Sequence, residues 1–444
     1  MLKKIKELIK TDNYIELKKE ISKLEYVEIA DLLQELNDKE QIKLFNLLPK
    51  TLAAQTFAYL DLESQEKIIN ELSGNEVGKI IDEMYADDAA DLIDEMPSNV
   101  VTKILENTTP ETRKIINTLL KYPEESAGSI MTVDFLELKG NQTIEEAIEK
   151  VKAEAEKKES IDFCYILDDE RKLLGTLSLR QLLLADKKAM IYDIMKKSPK
   201  HVNTLTDQEL VAQKMKKYDI NVISVVDSER RLVGIITIDD IVDVIEDEAT
   251  EDIQKMAAIR PSDKPYMSMN TFEIWKKRIP WLLLLMISAT FTSKIIQYYE
   301  DALSKFVILT SFIPMFMDTA GNAGGQASVT IIRGLSLNEI TFKDTLKIVF
   351  KEFKVSILVG ITLAIANFLK LMLLDHIAFN IALVVCITLI ITIMIAKIIG
   401  CSLPMLAKKL GFDPAVMASP FITTIVDAVS LIVFFNVATS ILGL

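Results

Sequence analysis

Up to about residue 125, apolar residues recur three and four positions apart, as at Ile29, Leu32, Leu33 and Leu36. That is the period of helices with one buried face. Turn residues at Leu48-Pro49 and Ser73-Gly74-Asn75 cut the pattern into short pieces. Ala30-Asp31-Leu32-Leu33-Gln34-Glu35-Leu36 is echoed by Ala90-Asp91-Leu92-Ile93-Asp94-Glu95-Met96, which predicts stacked helical hairpins winding as a short superhelix. From 126 to about 250 the texture changes. A β-rich run at 163–168, a turn at 171–175 and a second run starting Thr176-Leu177-Ser178 form one copy of a repeat. Residues 223–227, 230–234 and Ile235-Ile236-Thr237 form another, and helices are expected before them over 144–157 and 208–218. Five long apolar runs follow at 280–299, 306–334, 355–374, 378–406 and 414–442. Each can cross a hydrocarbon core of ~30 Å, which takes ~20 helical residues. The expected protein is therefore a multidomain membrane protein: an α-helical superhelical N-domain (1–125), two α/β modules (126–190 and 191–246), a connecting helix (247–270) and a five-helix all-α transmembrane domain (271–444).

Charge orients this arrangement. Lys276, Lys277 and Arg278 precede the first apolar run. Arg333, Lys343, Lys347, Lys351 and Lys354 lie around the second connection, and Lys408 and Lys409 precede the fifth run. The opposite loops hold only Lys294, Lys305 and Lys370. The positive-inside rule then places the N-terminal domain in the cytoplasm of an inner (plasma) membrane protein and Leu444 outside. The first residues carry lysines but no apolar stretch of signal-peptide length, in keeping with that orientation. A net charge of −13 argues against nucleic acid as a partner and suits a protein that handles cations. Cys164, Cys386 and Cys401 show no paired spacing and read as packing residues, while two histidines, His201 and His376, are too few for a His-rich zinc site. No phosphate loop, nucleophile motif or zinc signature is present, so an enzyme is not expected.

Three constellations carry chemistry. In the second apolar run, Pro314-Met315-Phe316-Met317-Asp318-Thr319-Ala320-Gly321-Asn322-Ala323-Gly324-Gly325-Gln326 is too polar for a helix that only faces lipid. Asp318, Asn322 and Gln326 fall four apart and so share one face, offering a column of oxygens. In the fifth run, Asp427 stands alone, with Thr423 and Thr424 one turn before it. It lies ~21 Å along a helix from Asp413, deep in the membrane, where an acid marks an ion path. Magnesium fits these groups as a hard cation that takes oxygen ligands and sheds water reluctantly, although the chemistry alone also admits calcium, manganese or cobalt. Two-fold assembly would bring two copies of Asp427 toward one axis. The third constellation is the run of Asp239, Asp240, Asp243, Glu246, Asp247, Glu248, Glu251 and Asp252. Asp243, Asp247 and Glu251 repel at i,i+4 spacing. Further acids lie at Asp207 and Glu209 and at Asp87, Asp88 and Asp91. Such surfaces, packed together, call for cations, and the plain alternative is a solvated acidic face.

The tandem repeat resembles a pair of CBS modules, in which an Asp after the last strand commonly holds a nucleotide ribose. Asp240 matches that place in the second copy and Gln181 occupies it in the first. The whole order of parts resembles the MgtE family of magnesium transporters. The resemblance implies a homodimeric magnesium channel in lipid, shut by cytoplasmic Mg2+ bridging its N-domain, CBS modules and a plug helix, with ATP as a further ligand of the CBS pair. It implies Asp427 as the pore acid, Asn322 and Gln326 as pore-lining residues, and a plug over 247–268. It also implies sensor ligands at Asp91, Asp207, Glu209, Asp219, Asp240, Asp243, Glu248, Glu251, Asp252 and Asp413; Ser419 stands where some members carry Asn. Two other readings stay open: a coupled divalent-cation exchanger, and a membrane-anchored CBS sensor that transports nothing.

Overall fold

A computed structural model describes every residue except Met1, Asp12, Asp263, Pro265, Ala418 and Leu444; the expected outer end at Leu444 and two positions of the expected plug thus lie outside the described residues. The chain divides into two compact units, Met1–Ile245 and Glu246–Leu444.

The first unit opens with ten short helices among the described residues, α1 (Leu2–Lys10) to α10 (Pro110–Leu119). The echoed segments fall on matching helices. α3 (Tyr26–Gln34) buries Ile29, Ala30, Leu32 and Leu33, and α8 (Ala86–Glu95) buries Ala89, Ala90, Leu92 and Ile93. Except for Ala90, these residues join one core with Phe45, Phe57, Ile68 and Ile104. Helices this short leave many terminal groups unpaired. Side-chain caps at Asn37, Asp61 and Thr109 satisfy starts. The Lys103 ammonium donates to the carbonyls of Ile69 and Leu72 at 2.6 and 2.7 Å, closing the end of α6 (Leu62–Glu71).

The expected repeat forms two sheets. β1 (Phe135–Lys139), β2 (Ser160–Leu167), β3 (Leu173–Ser178) and β4 (Lys196–Lys197) form one, with β1 parallel to β2 and the others antiparallel. β5 (His201–Asn203), β6 (Val222–Val226) and β7 (Leu232–Thr237) form the other, again parallel and then antiparallel. Helices α11 (Ile144–Glu154) and α14 (Gln208–Tyr218) precede the equivalent strands, with the short α12 (Leu179–Leu184) and α13 (Ile191–Ile194) between β3 and β4. The two hairpin turns match atom for atom. Asp168 Oδ1 accepts from the Glu170 and Lys172 amides, and Asp227 Oδ1 accepts from those of Glu229 and Arg231. Arg171 and Arg230 both sit at positive φ, 66° and 65°. The modules are stitched together: Thr132 exchanges backbone hydrogen bonds with Ile235, and Leu173 and Leu232 donate to Arg230 and Arg171. Residues 126–132, expected at the start of the first module, therefore run along the second sheet. A short β-run is held by whichever edge offers donors and acceptors, and hydropathy does not encode that choice.

The second unit begins within α15 (Ile238–Met256) and continues through α16 (Thr271–Tyr298), α17 (Glu300–Lys305), α18 (Ile313–Ser336), α19 (Thr345–Leu373), α20 (Phe379–Lys409) and α21 (Ser419–Leu442). α16, α19, α20 and α21 lie within segments long and apolar enough to cross a membrane. α18, with 24 residues, is long enough at ~1.5 Å per residue, but it carries the polar column. α16 and α19 start about nine or ten residues before the apolar runs, because a helix does not stop where the hydrocarbon does. α18 packs on α20 and α21, α19 on α20, and α16 on α21. Small residues set the closest approach: a Cβ on Gly400 would stand 2.2 Å from the Gly324 carbonyl oxygen, and one on Gly324 would stand 3.1 Å from that of Ala396. Gly400→Ala should therefore force α18 and α20 apart and cost about 1–3 kcal/mol of stability. Gly321→Ala, which meets only the Thr423 methyl at 3.0 Å, should cost less. Thermal unfolding of both full-length variants in detergent gives the ranking.

Candidate functional site

α18 presents Asp318, Asn322 and Gln326 along one exposed face, as the four-residue spacing requires. Asn322 Nδ2 donates to Asp318 Oδ1 at 3.1 Å. The adjoining face is glycine and alanine, and it lets α21 come close. A Cβ on Gly321 would lie 3.0 Å from Thr423 Cγ2 and 3.9 Å from Asp427 Oδ1. The half-buried Asp427 is thus brought beside α18 at the level of Asn322. The Thr423 and Thr424 hydroxyls both donate back to the Pro420 carbonyl, at 2.9 and 3.0 Å. That leaves their lone pairs as acceptors rather than their protons as donors, the polarity a cation needs. Asp318, Asn322, Asp427 and the two threonines make one polar patch in the apolar half of the chain.

The cytoplasmic acids fall into two groups. In the first unit, Ala86 and Ala90 of α8 join a buried cluster with Ala127, Met131, Val202 and Val225, docking the helical domain on the CBS-like pair. This contact sets Asp87 and Asp88 against Asp240, with Glu159 close by. Asp87 is 7% exposed, and its Oδ1 and the Glu159 Oε2 are buried without a hydrogen-bond partner. Burial, reinforced by the facing carboxylates, pushes Asp87 well above the usual range, Asp88 and Asp240 to about 6, and Glu159 to about 8. Asp91 is pushed up to about 7 by desolvation and by Asp88 and Glu95. Its side chain is exposed, so water screens it and it matters less than Asp87. Asp134 accepts from the Ala86 amide at the start of α8, where a carboxylate suits the helix dipole. Among the described residues no three Asp, Glu, His or Cys side chains converge as a finished metal cage. The carboxylates of this group repel one another.

Other expected ligands are spread out. Asp207 caps α14, its Oδ1 accepting from Glu209 and Leu210. Glu209 accepts from Gln213 at 3.1 Å. Asp219 is the exposed left-handed end of α14. Asp240 and Gln181, the two ribose positions, each accept from the hydroxyl three residues back, Thr237 and Ser178, as helix-start partners. Asp243 and Asp247 are exposed on α15, and Glu248 is half-buried. In the second unit, Glu251, Asp252 and Asp413 do converge, around a cation already in the chain. Lys255 Nζ lies 2.6 Å from Glu251 and 2.7 Å from Asp413, and Ser336 donates to Asp252 at 3.2 Å. The sequence ended its acidic run at Lys255 without giving that lysine a part. Glu159 and Asp134 were missed too, since nothing local separates them from other surface acids. Lys397 and Glu352, which pair at 3.3 Å, were overlooked although a lone lysine inside an apolar run was a signal.

A pH dependence follows from the first group. An acid whose pKa is raised by folding favours the folded state at low pH. Its contribution is complete below the unfolded value of ~4 and is lost as pH rises through the folded one. With folded values of about 6 for Asp88 and Asp240 and about 8 for Glu159, the contact between the helical domain and the CBS-like pair should loosen as pH rises from about 5 to 8 in chelator. Asp87→Asn with Glu159→Gln should flatten that slope. Protease susceptibility of the full-length chain across the pH series measures it.

Three family models match in chain order. They are the MgtE intracellular N domain over residues 24–125, the CBS domain over 127–188 and 191–247, and a divalent cation transporter model, MgtE, over 313–437. The magnesium transporter MgtE of Thermus thermophilus is 32% identical over 425 residues, covering 94% of each chain. That of Bacillus subtilis is 31% identical over 424 residues, 95% of this chain and 92% of the other. Among solved structures, the soluble part of a magnesium transporter matches with a TM-score of 0.54 at 32% identity, over 56% of this chain and 98% of that one. The cytosolic domain of the Mg2+ channel MgtE in complex with ATP matches with a TM-score of 0.52 at 31% identity, over 55% of this chain and 100% of that one. The chain belongs to the MgtE family of magnesium transporters.

Proposed function

We propose that the protein is a magnesium-selective channel for Mg2+ uptake, and not an enzyme. It works as a homodimer in the inner membrane, with its N-terminal domain cytoplasmic and its C-terminus outside. The observation that carries this is Asp427 held beside α18 at Gly321, with Asp318, Asn322 and Gln326 on an exposed face of that helix. A hydrated magnesium ion needs oxygens around its water shell and a fixed negative charge. The Asp427 carboxylate supplies the charge, and the Asn322 and Gln326 amides with the Thr423 and Thr424 hydroxyls supply acceptors. A second copy across a two-fold axis doubles the charge and covers the exposed face. Inward movement then follows the membrane potential.

We assign gating to cytoplasmic Mg2+ at the acids around Asp87, Asp88, Asp91, Asp240 and Glu159. Asp207, Glu209, Asp219, Asp243, Asp247, Glu248, Glu251, Asp252 and Asp413 form the wider acidic set. The working domains are 1–125, 126–190, 191–246, 247–270 and 271–444. A divalent ion offsets the repulsion between helical domain and CBS modules and favours their docked arrangement. When magnesium falls, the carboxylates push the contact open. ATP is the further ligand we assign to the CBS pair, with Asp240 at the ribose.

Two experiments test these readings separately. Asp427→Ala should reduce magnesium uptake by the purified protein in vesicles to background while the protein still inserts and dimerises, because neutral oxygens alone do not replace the lost field. Uptake at the wild-type rate would remove Asp427 from the path. For the sensor, millimolar MgCl2 should protect the segment around Tyr122 to Gly128 from protease, because a ligand of the docked state stabilises it. Potassium chloride at equal ionic strength should protect it less. Equal protection by both salts would reduce the acids to general electrostatics.

A further inference from the structure

α19 and α20 pack antiparallel along an interface built from small and apolar groups. A Cβ on Gly360 would stand 3.2 Å from Ile390 Cα, and Cys386 Sγ donates to the Ala364 carbonyl at 3.4 Å. Into this interface the chain places Lys397 of α20 and Glu352 of α19, Nζ to Oε2 at 3.3 Å. Their side chains are only 6% and 16% exposed. Among the described residues this is the one ion pair joining two of the long helices of the second unit, and Glu352 is the one hydrogen-bond acceptor found for the Lys397 ammonium. An ammonium has three donors and no acceptor, so Lys397 depends on this single carboxylate.

Lys397 lies inside the apolar run 378–406 and Glu352 three residues before the run that starts at 355; a buried pair there is costly and poorly explained by stability. Replacing a buried ion pair with apolar residues of similar size is often neutral or better, and an ionisable group within a membrane span usually serves the transported species. Its location tells how. Ala396, the residue before Lys397, places its carbonyl oxygen 3.1 Å from the Cβ position of Gly324. Gly324 lies between Asn322 and Gln326 on α18. The lysine thus sits at the height of the polar column, on the side of α20 turned to α19. In this low-dielectric setting an unmatched ammonium would act over a long range, and its repulsion would be felt twice over by a divalent ion.

We propose that Glu352 is a positioning residue for transport: it holds Lys397 against α19 and cancels its charge, so that no positive field reaches magnesium passing along α18. The inference rests on the reading of α18 and α21 as the ion path. It concerns electrostatic shielding, and it separates from a purely mechanical clamp because the two halves of the pair are not equivalent. Glu352→Gln leaves a bare cation behind the path, whereas Lys397→Met leaves a bare anion.

The test uses the full-length protein in vesicles with a magnesium-sensitive dye inside, together with thermal unfolding of each variant. Glu352→Gln should slow magnesium flux about tenfold or more, equivalent to ~1.4 kcal/mol on the barrier. Lys397→Met should keep flux within about twofold of wild type, since each factor of two is only ~0.4 kcal/mol. The double variant Glu352→Gln with Lys397→Met, which carries no charge, should recover most of the flux lost in Glu352→Gln. A mechanical clamp predicts instead that both single variants lose flux and thermal stability together and that the double variant does not recover. That result overturns the proposal, as does wild-type flux in Glu352→Gln. If Glu352→Gln fails to fold, the reversed pair Glu352→Lys with Lys397→Glu replaces it. Restored neutrality should return flux to within about threefold of wild type, and flux as low as background in a folded reversed pair overturns the proposal. Asp427→Ala run alongside separates the two readings: flux lost there but unchanged in Glu352→Gln sinks only the shielding role, while flux retained in Asp427→Ala sinks the ion path itself.

Discussion

A carboxylate taken out of water needs an answering charge, and in this chain several have none within hydrogen-bond reach. Asp87 and Glu159 each keep a buried oxygen with no partner, and Asp88 and Asp240 face them. Asp427 lies half-buried among apolar helices, with threonine hydroxyls turned toward a carbonyl. Neutral packing does not settle such groups, because the cost of desolvating a charge exceeds what a few dispersion contacts return. Such groups stay charged only beside an opposite charge. Where that charge is built in, the structure shows the result: Lys255 draws Glu251 and Asp413 to within 2.7 Å, and Lys397 is matched by Glu352.

The rest of the fold brings these acids together and keeps everything else apolar and close. In the first unit, alanines do this. Ala86 and Ala90 are small enough to let α8 dock on the CBS-like sheet, which carries Asp87 and Asp88 inward on the same helix. In the second unit, glycines do it. Gly324 and Gly400 let α18 and α20 approach until backbone meets backbone, Gly321 admits the Thr423 side chain of α21, and the polar column is left on the adjoining face. The same helix therefore has a tight apolar side that fixes its position and a loose polar side that is available to an ion.

Much of this was legible in the sequence because it depends on local periodicity. The echoed segments of α3 and α8 put the same positions in the core, the repeat gave two matching hairpins, and the column of Asp318, Asn322 and Gln326 lies on one face, as four-residue spacing dictates. What was not legible depends on partners distant in sequence. Residues 126–132 take the edge of the second sheet because its Ile235 offers a donor and an acceptor to Thr132, a choice no local pattern encodes. Glu159 looks like any surface acid until the turn after α11 carries it under α8. That Lys255, far earlier in the chain, lies between Asp413 and Glu251 shows only in the fold. The matched hairpin aspartates, Asp168 and Asp227, lay inside the quoted repeat, yet their role in holding two amides each shows only in the turn geometry.

α15 links these observations. It is one continuous helix, Ile238–Met256, and its acids do two different jobs along its length. Near its start, Asp240 faces the unpaired carboxylates of the first unit; near its end, Glu251 and Asp252 are tied to Lys255 and Ser336 in the second. A helix transmits displacement along its axis because each turn is held by backbone hydrogen bonds. Within the second unit, the end of α15 is held by one ion pair, Lys255 to Asp413 at 2.7 Å, and by the Ser336 hydroxyl donating to Asp252 at 3.2 Å. Those contacts hold the last turns of α15 against fraying, while the acids near its start face other carboxylates and not a lysine or arginine. One helix thus carries acids in two electrostatic settings: Asp240, raised by burial and by its acidic neighbours, and Glu251, neutralised by the lysine one turn on.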